Sequence, residues 1–208
     1  MPTATPPTLL HVDEACIVAE KPAGLLSVPG LSERDSLTAR VQALYPDARV
    51  VHRLDQPTSG LMLFARGAFA QRALSMAFEA RQVHKRYLAV VEGLPSADAG
   101  EIDAPLAADW PNRPRQQVDV ARGKPSLTRW RVLRRDAGSA LLALEPVTGR
   151  SHQLRVHLAH IGHPIRGDRL YAPPPWHAER LLLHASELAF VQPASGQRLH
   201  LHSPAPFA

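Results

Sequence analysis

The run His52-Arg53-Leu54-Asp55-Gln56-Pro57-Thr58-Ser59-Gly60 constrains the fold more than any other stretch, because the chain must turn there immediately ahead of the apolar segment Leu61-Met62-Leu63-Phe64-Ala65. Pro57 fixes its own φ and biases Gln56 away from helix, and Gly60 permits a backbone that most residues avoid. The turn therefore presents the Asp55 carboxylate at the mouth of a strand, flanked by Arg53 and His52. Such a carboxylate suits a nucleophile or a general base. It suits a structural ion pair equally well, and the residues alone leave both readings open.

Around that turn, the pattern predicts an α+β chain with a mixed, antiparallel-rich sheet flanked by helices. Residues 1–8 are Pro/Thr-rich and are expected to form a disordered leader, with one catalytic domain over residues 9–208. Strands are expected over Ala15–Ala19, Leu61–Ala65 and Lys85–Glu92, and near Leu181–Phe190 and Arg198–His202. Leu127–Arg134 and Ala140–Glu145 read as a hairpin around Asp136-Ala137-Gly138-Ser139. Helices are expected over Ser36–Leu44, over Gly67–Ala80 with Phe69, Ala73, Met76 and Ala77 on one face, and over His152–Ile161, which Gly162 and Pro164 stop. Ala104–Arg115 interrupts the periodicity and reads as a surface excursion.

With Lys+Arg 24 against Asp+Glu 19, the 208-residue chain carries a formal charge of +5 and a pI of about 10.0. That balance is compatible with a polyanionic partner. Most of the cations are arginines, which pair bidentately with phosphate and stack on bases. The single Cys16 excludes an intrachain disulfide framework or a cysteine zinc cluster. The N-terminus lacks the basic start and apolar core of a signal peptide, and no apolar run reaches the length of a membrane span. A cytoplasmic protein is expected, with no membrane association.

Other candidate chemistry falls away on spacing. His157, His160 and His163 recur every third residue, but Gly162 ends the helix before His163 and no carboxylate or cysteine sits at a matching interval, so no metal is expected. Gly123-Lys124-Pro125-Ser126 lacks the glycine that a phosphate loop requires five residues earlier. In Thr148-Gly149-Arg150-Ser151-His152-Gln153-Leu154-Arg155, Ser151 reads as an N-cap and Leu154 and Leu158 as a core stripe. On spacing alone, Arg150 and Arg155 read as solvated. Tyr87, one of three tyrosines, offers either a core ring or a face on which a base could stack.

The string His52-Arg53-Leu54-Asp55 with Thr58-Ser59-Gly60 resembles the catalytic-loop signature of the RluA-type pseudouridine synthases. The resemblance extends along the chain through Glu20-Lys21-Pro22-Ala23-Gly24-Leu25, Lys85-x-Tyr87, Gly149–Arg155 with Gly162-His163-Pro164-Ile165, and Leu181-Leu182-Leu183-His184-Ala185. It departs in small ways, such as Glu20 where asparagine is common before Lys-Pro. It implies that Asp55 is the catalytic aspartate, that Tyr87 stacks on the target uracil and that Arg155 pairs with the aspartate. It also implies that Arg53 fills the space left by the flipped nucleotide. Arg53, His52, Lys21, Arg150 and Arg113 are the expected RNA-binding residues.

Many members of the family carry an S4 RNA-binding domain, for which about 60 more residues are expected; none is expected here. Gly24–Gly30 and above all Asp109-Trp110-Pro111-Asn112-Arg113-Pro114 are similar to the members that modify both a 23S rRNA hairpin and tRNA anticodon stem-loops. The implied enzyme is an isomerase that needs no cofactor and acts as a monomer. The rivals are a sibling synthase for another tRNA or rRNA uridine, and a silent RNA-binding module. Loss of the carboxylate is the expected mark of the latter, and Asp55 is present.

Overall fold

A computed structural model describes residues 5–208. In chain order the strands and helices are β1 (Thr8–Val12), β2 (Cys16–Lys21), α1 (Leu37–Leu44), β3 (Ala48–Val50), β4 (Ser59–Arg66), α2 (Gly67–Glu79), β5 (His84–Glu92) and β6 (Ala99–Asp103). They continue with β7 (Leu106–Ala108), β8 (Gln116–Val118), β9 (Leu127–Asp136), β10 (Ser139–Pro146), α3 (Gln153–His160), β11 (Leu183–Val191) and β12 (Arg198–His202). The chain forms two compact units. One holds the chain up to Lys85 with Ala185–Ala205, and the other Arg86–His184 with Pro206–Ala208. The class is α+β, as expected.

In the first unit, β2 pairs antiparallel with both β1 and β4, and β3 lies against β4. The unbroken apolar runs of β2 and β4 follow from burial on both faces. Cys16, Val18, Leu61, Leu63 and Ala65 face Ala70 and Leu74 of α2 together with Leu188 and Phe190 of β11. The alternate residues Ile17, Ala19, Met62 and Phe64 face Leu37 and Val41 of α1. Ser36 caps α1 by accepting the Ala39 amide at 3.1 Å, so the predicted helix start holds.

The second unit is built on the antiparallel strands β5, β10, β9 and β6. The β9–β10 hairpin turns at Ala137-Gly138, with Gly138 at φ 75. Its core packs Ala89, Val91, Leu142 and Leu144 against Leu154 and Leu158 of α3. The expected excursion after Ala104 contains a short pair of its own, β7 with β8, joined by a turn through Trp110–Asn112.

Three expectations are corrected. The leader expected over 1–8 lies outside the described residues for 1–4, and Thr8 already opens β1 opposite Glu20. The buried face of α2 is that of Ala70 and Leu74, while Phe69 and Met76 are 74% and 58% exposed. The residue before α3 is His152, in the left-handed region at φ 54, rather than Ser151. Gln153 provides the fixing contacts there, its Oε1 accepting from the Thr148 hydroxyl at 2.7 Å and the Arg150 amide at 3.0 Å.

Candidate active site

Asp55 sits, half-buried, on the turn that leads into β4, and both of its chain neighbours are held. On one side the Ser27 hydroxyl donates to the Leu54 carbonyl at 2.6 Å and accepts the Leu54 amide at 3.0 Å. On the other side the Gln56 carbonyl accepts from the Gly24 amide and from the Lys21 ammonium, each at 2.9 Å. The Thr58 amide closes the turn on the Asp55 carbonyl at 3.1 Å. The register that sets Lys21 opposite Gly60 brings these segments together at the end of the β2–β4 pair.

Gly60 is required by its surroundings as well as its φ of +111: a Cβ there would run into the Ala185 backbone of β11.

Lys21 is fully buried, and its Nζ also donates to the carbonyls of Pro22 (3.0 Å) and Leu25 (2.7 Å). The RNA-binding role expected of it does not fit: an ammonium shut away from solvent cannot reach a phosphate. Its contacts instead tie the end of β2 to the backbone of the Asp55 turn.

The His52 ring, too, is engaged within the protein. Its Nε2 accepts the Leu63 amide at 2.9 Å and its ring stacks on Phe78 with centroids 4.6 Å apart. An imidazole that accepts through Nε2 is neutral or loses that bond. Burial, reinforced by the nearby Lys85 charge, lowers its pKa to about 3. Arg53 is exposed, as an RNA-contacting residue must be.

The second unit carries the other candidates. Arg155 is only 3% exposed, against the solvated reading of its spacing. Its Nε and Nη2 donate to Asp168 Oδ2 and Oδ1, both at 2.7 Å, a bidentate pair in the interior. Asp168 is held in turn by the Leu170 amide at 2.9 Å. The Arg155 guanidinium lies 5.1 Å from the Tyr171 ring centroid, and the Tyr171 hydroxyl is 2.6 Å from His152 Nδ1. Asp168, Tyr171 and His152 were missed. The available signal was Gly167-Asp168 after the helix exit, where Gly167 has φ 75 and no room for a Cβ beside the Arg180 carbonyl.

Tyr87 lies opposite Leu144 and packs, partly buried, on the edge of the core. Arg150 and Arg113 are exposed. His157 is satisfied inside the protein by the Thr128 hydroxyl and the Ala104 carbonyl, both at 2.9 Å. The one grouping of metal-ligand atoms among the described residues is His11, Asp13 and Cys16. Asp13 Oδ1 there accepts the Ala15 and Cys16 amides, and burial pushes the Cys16 thiol up to about 12, which makes a capped turn rather than an ion cradle.

The RNA pseudouridylate synthase family model matches residues 15–160, and the chain belongs to that family. Among individual proteins it is similar to the dual-specificity RNA pseudouridine synthase RluA of Vibrio cholerae, with 50% identity over 90% of this chain and 78% of that one. It is 47% identical to RluA of Escherichia coli K12 over 96% of this chain and 93% of that one. Of solved structures, human RNA pseudouridylate synthase domain containing 1 superposes with a TM-score of 0.83 at 26% identity. That likeness covers 100% of this chain and 88% of the human one. No helix among the described residues is long and apolar enough to cross a membrane.

Proposed function

We propose that this protein isomerises specific uridines in structured RNA to pseudouridine, in a 23S rRNA hairpin and in tRNA anticodon stem-loops. The observation that carries the reading is the similarity, over nearly the whole chain, to relatives named for dual specificity. The rRNA and tRNA substrates place the work in the cytoplasm, and the protein acts as a monomer without a cofactor.

The reaction breaks the uridine N1–C1′ bond, turns the uracil and joins C5 to C1′, the C5 proton being lost and N1 taking up a proton. The nucleotide must first leave its stack, at a cost of a few kcal/mol. Arg53, exposed beside the turn, fills the gap and grips phosphate. Asp55 is the nucleophile at C1′ or C6, or the base that takes the ribose C2′ proton. Each route asks for a carboxylate whose backbone does not move, which is what the Ser27 and Lys21 contacts supply. Arg155, its orientation set by Asp168, is the second proposed catalytic residue. Tyr87 holds the freed uracil while it turns. Arg150 and Arg113 contribute to RNA binding.

Mapping pseudouridine at single-nucleotide resolution with and without this gene tests the reading. Loss of a modification in both 23S rRNA and tRNA is expected, and an unchanged map would refute it.

A further inference from the structure

The turn from Asp109 to Arg115 closes on itself. The Asp109 amide donates to the Arg115 carbonyl and the Arg115 amide to the Asn112 carbonyl, both at 3.0 Å. The Asp109 carboxylate accepts from the Asn112 side-chain amide at 3.0 Å. The Arg113 guanidinium instead lies 3.6 Å from the centroid of Trp110. Trp110 is nonetheless 67% exposed, so one face of the indole is backed by a cation and the other is open.

Beside this stack a groove of about 400 Å³ is lined by Arg113, Arg115 and Gln116 on one side and by Ser151 and His152 on the other. Its walls are fixed to each other, since the Tyr171 hydroxyl accepts the Gln116 amide at 2.8 Å and also meets His152. The Arg115 guanidinium stands over the other end of that contact, 5.5 Å from the Tyr171 ring centroid.

An open indole, two exposed guanidinia and a groove with rigid walls match one ligand chemistry, an unstacked base with its phosphate. We propose that this groove is a nucleotide subsite for the substrate RNA, in which a base stacks on the Arg113 guanidinium, itself backed by the Trp110 ring, and Arg115 holds the phosphate. The subsite selects which RNA is accepted and takes no part in the isomerisation. This rests on the pseudouridylation reading, in which Arg155, the other arginine over Tyr171, lies at the reacting uridine.

The test compares wild type with Trp110→Leu, Trp110→Phe, Arg115→Gln and Arg115→Lys. RNA affinity is measured at several salt concentrations, together with single-turnover isomerisation at saturating RNA, on an anticodon stem-loop and a 23S rRNA hairpin. Trp110→Leu should weaken binding of at least one hairpin roughly tenfold, with Trp110→Phe recovering most of the loss. The rate at saturating RNA should stay within about twofold, since the residue contacts no reacting atom. Arg115→Gln should lower the slope of log affinity against log salt by about one, and Arg115→Lys should keep it. Unchanged affinity of Trp110→Leu for both hairpins would overturn the proposal. So would a loss that phenylalanine does not reduce and that comes with a lower Tm, which would make the turn merely structural. A wild type that binds both hairpins and modifies neither would sink the pseudouridylation reading, while the affinity comparison still decides the subsite.

Discussion

The Lys21 ammonium, without solvent contact, donates to the carbonyl of Gln56 at 2.9 Å, one residue beyond Asp55. A lysine is thus spent on three backbone carbonyls at the base of the loop that carries the proposed catalytic carboxylate. Lys21→Met keeps the stem and removes the charge, leaving those acceptors buried without their donor. The variant should lose at least about 2 kcal/mol of stability. Its kcat should fall by more than its KM rises, because the loop is displaced while the RNA-binding surface is intact. Denaturant melts and steady-state kinetics check both; a fully stable variant with wild-type kcat would remove Lys21 from the positioning role.

The Arg155–Asp168 pair is closed to water on both sides, with side-chain exposures of 3% and 0%. Asp168→Asn preserves shape but takes a buried carboxylate away from the guanidinium. A loss of about 3–5 kcal/mol is expected, the range for breaking a buried pair by removing one partner. Equilibrium unfolding measures it; a loss below about 1 kcal/mol would show that the pair is not interior in solution.

His52 contributes to the acid sensitivity of the fold. Its folded pKa, about 3, lies below the ordinary value of 6.5, so the unfolded chain binds the extra proton. The stability this neutral ring contributes is therefore complete above pH 6.5 and is lost as pH falls from there toward 3. Stability measured across that window should fall less steeply in His52→Gln, by about one proton, with Gln still able to accept the Leu63 amide. Equal slopes in the two proteins would contradict the buried neutral ring.

Tyr87 separates stacking from packing. If the ring only completes the core edge against Leu144, Tyr87→Leu lowers Tm and leaves single-turnover rates alone. The uracil-holding role predicts a folded, RNA-binding leucine variant that loses roughly 1–3 kcal/mol of transition-state stabilisation from stacking. Tyr87→Phe then reports whether the hydroxyl moves a proton. An unchanged rate with a lower Tm in Tyr87→Leu would return the residue to the core.

The parts of the fold that were legible in the sequence are those where a strong local pattern meets one environment. The doubly buried runs of β2 and β4, the short helix α1 and the Ala137-Gly138 turn all belong here. Strands β1, β3, β6, β7 and β8 were not, because at three to five residues they are too short to show a periodicity. Helix α2 defeats periodicity for a different reason. Its apolar residues surround the axis, so Ala70 and Leu74 make as good a stripe as Phe69 and Met76, and only the partner sheet decides between them.

At the site, the Asp55 turn was readable from Pro57 and Gly60. The burial of Lys21 was not, because it turns on main-chain carbonyls that no residue identity reveals. Arg155 was misjudged on spacing for a related reason: its burial depends on Asp168, thirteen residues away and beyond the end of the helix.

The most direct test of the account is Asp55→Asn, assayed for pseudouridine formation and for RNA binding in the same preparation. An amide fits the clamped turn, so folding and RNA affinity should stay close to wild type. It can neither attack carbon nor take a proton, so isomerisation should fall on the order of 10⁴-fold or more. A variant that retains a tenth of the wild-type turnover would contradict the central claim that the Asp55 carboxylate carries the chemistry.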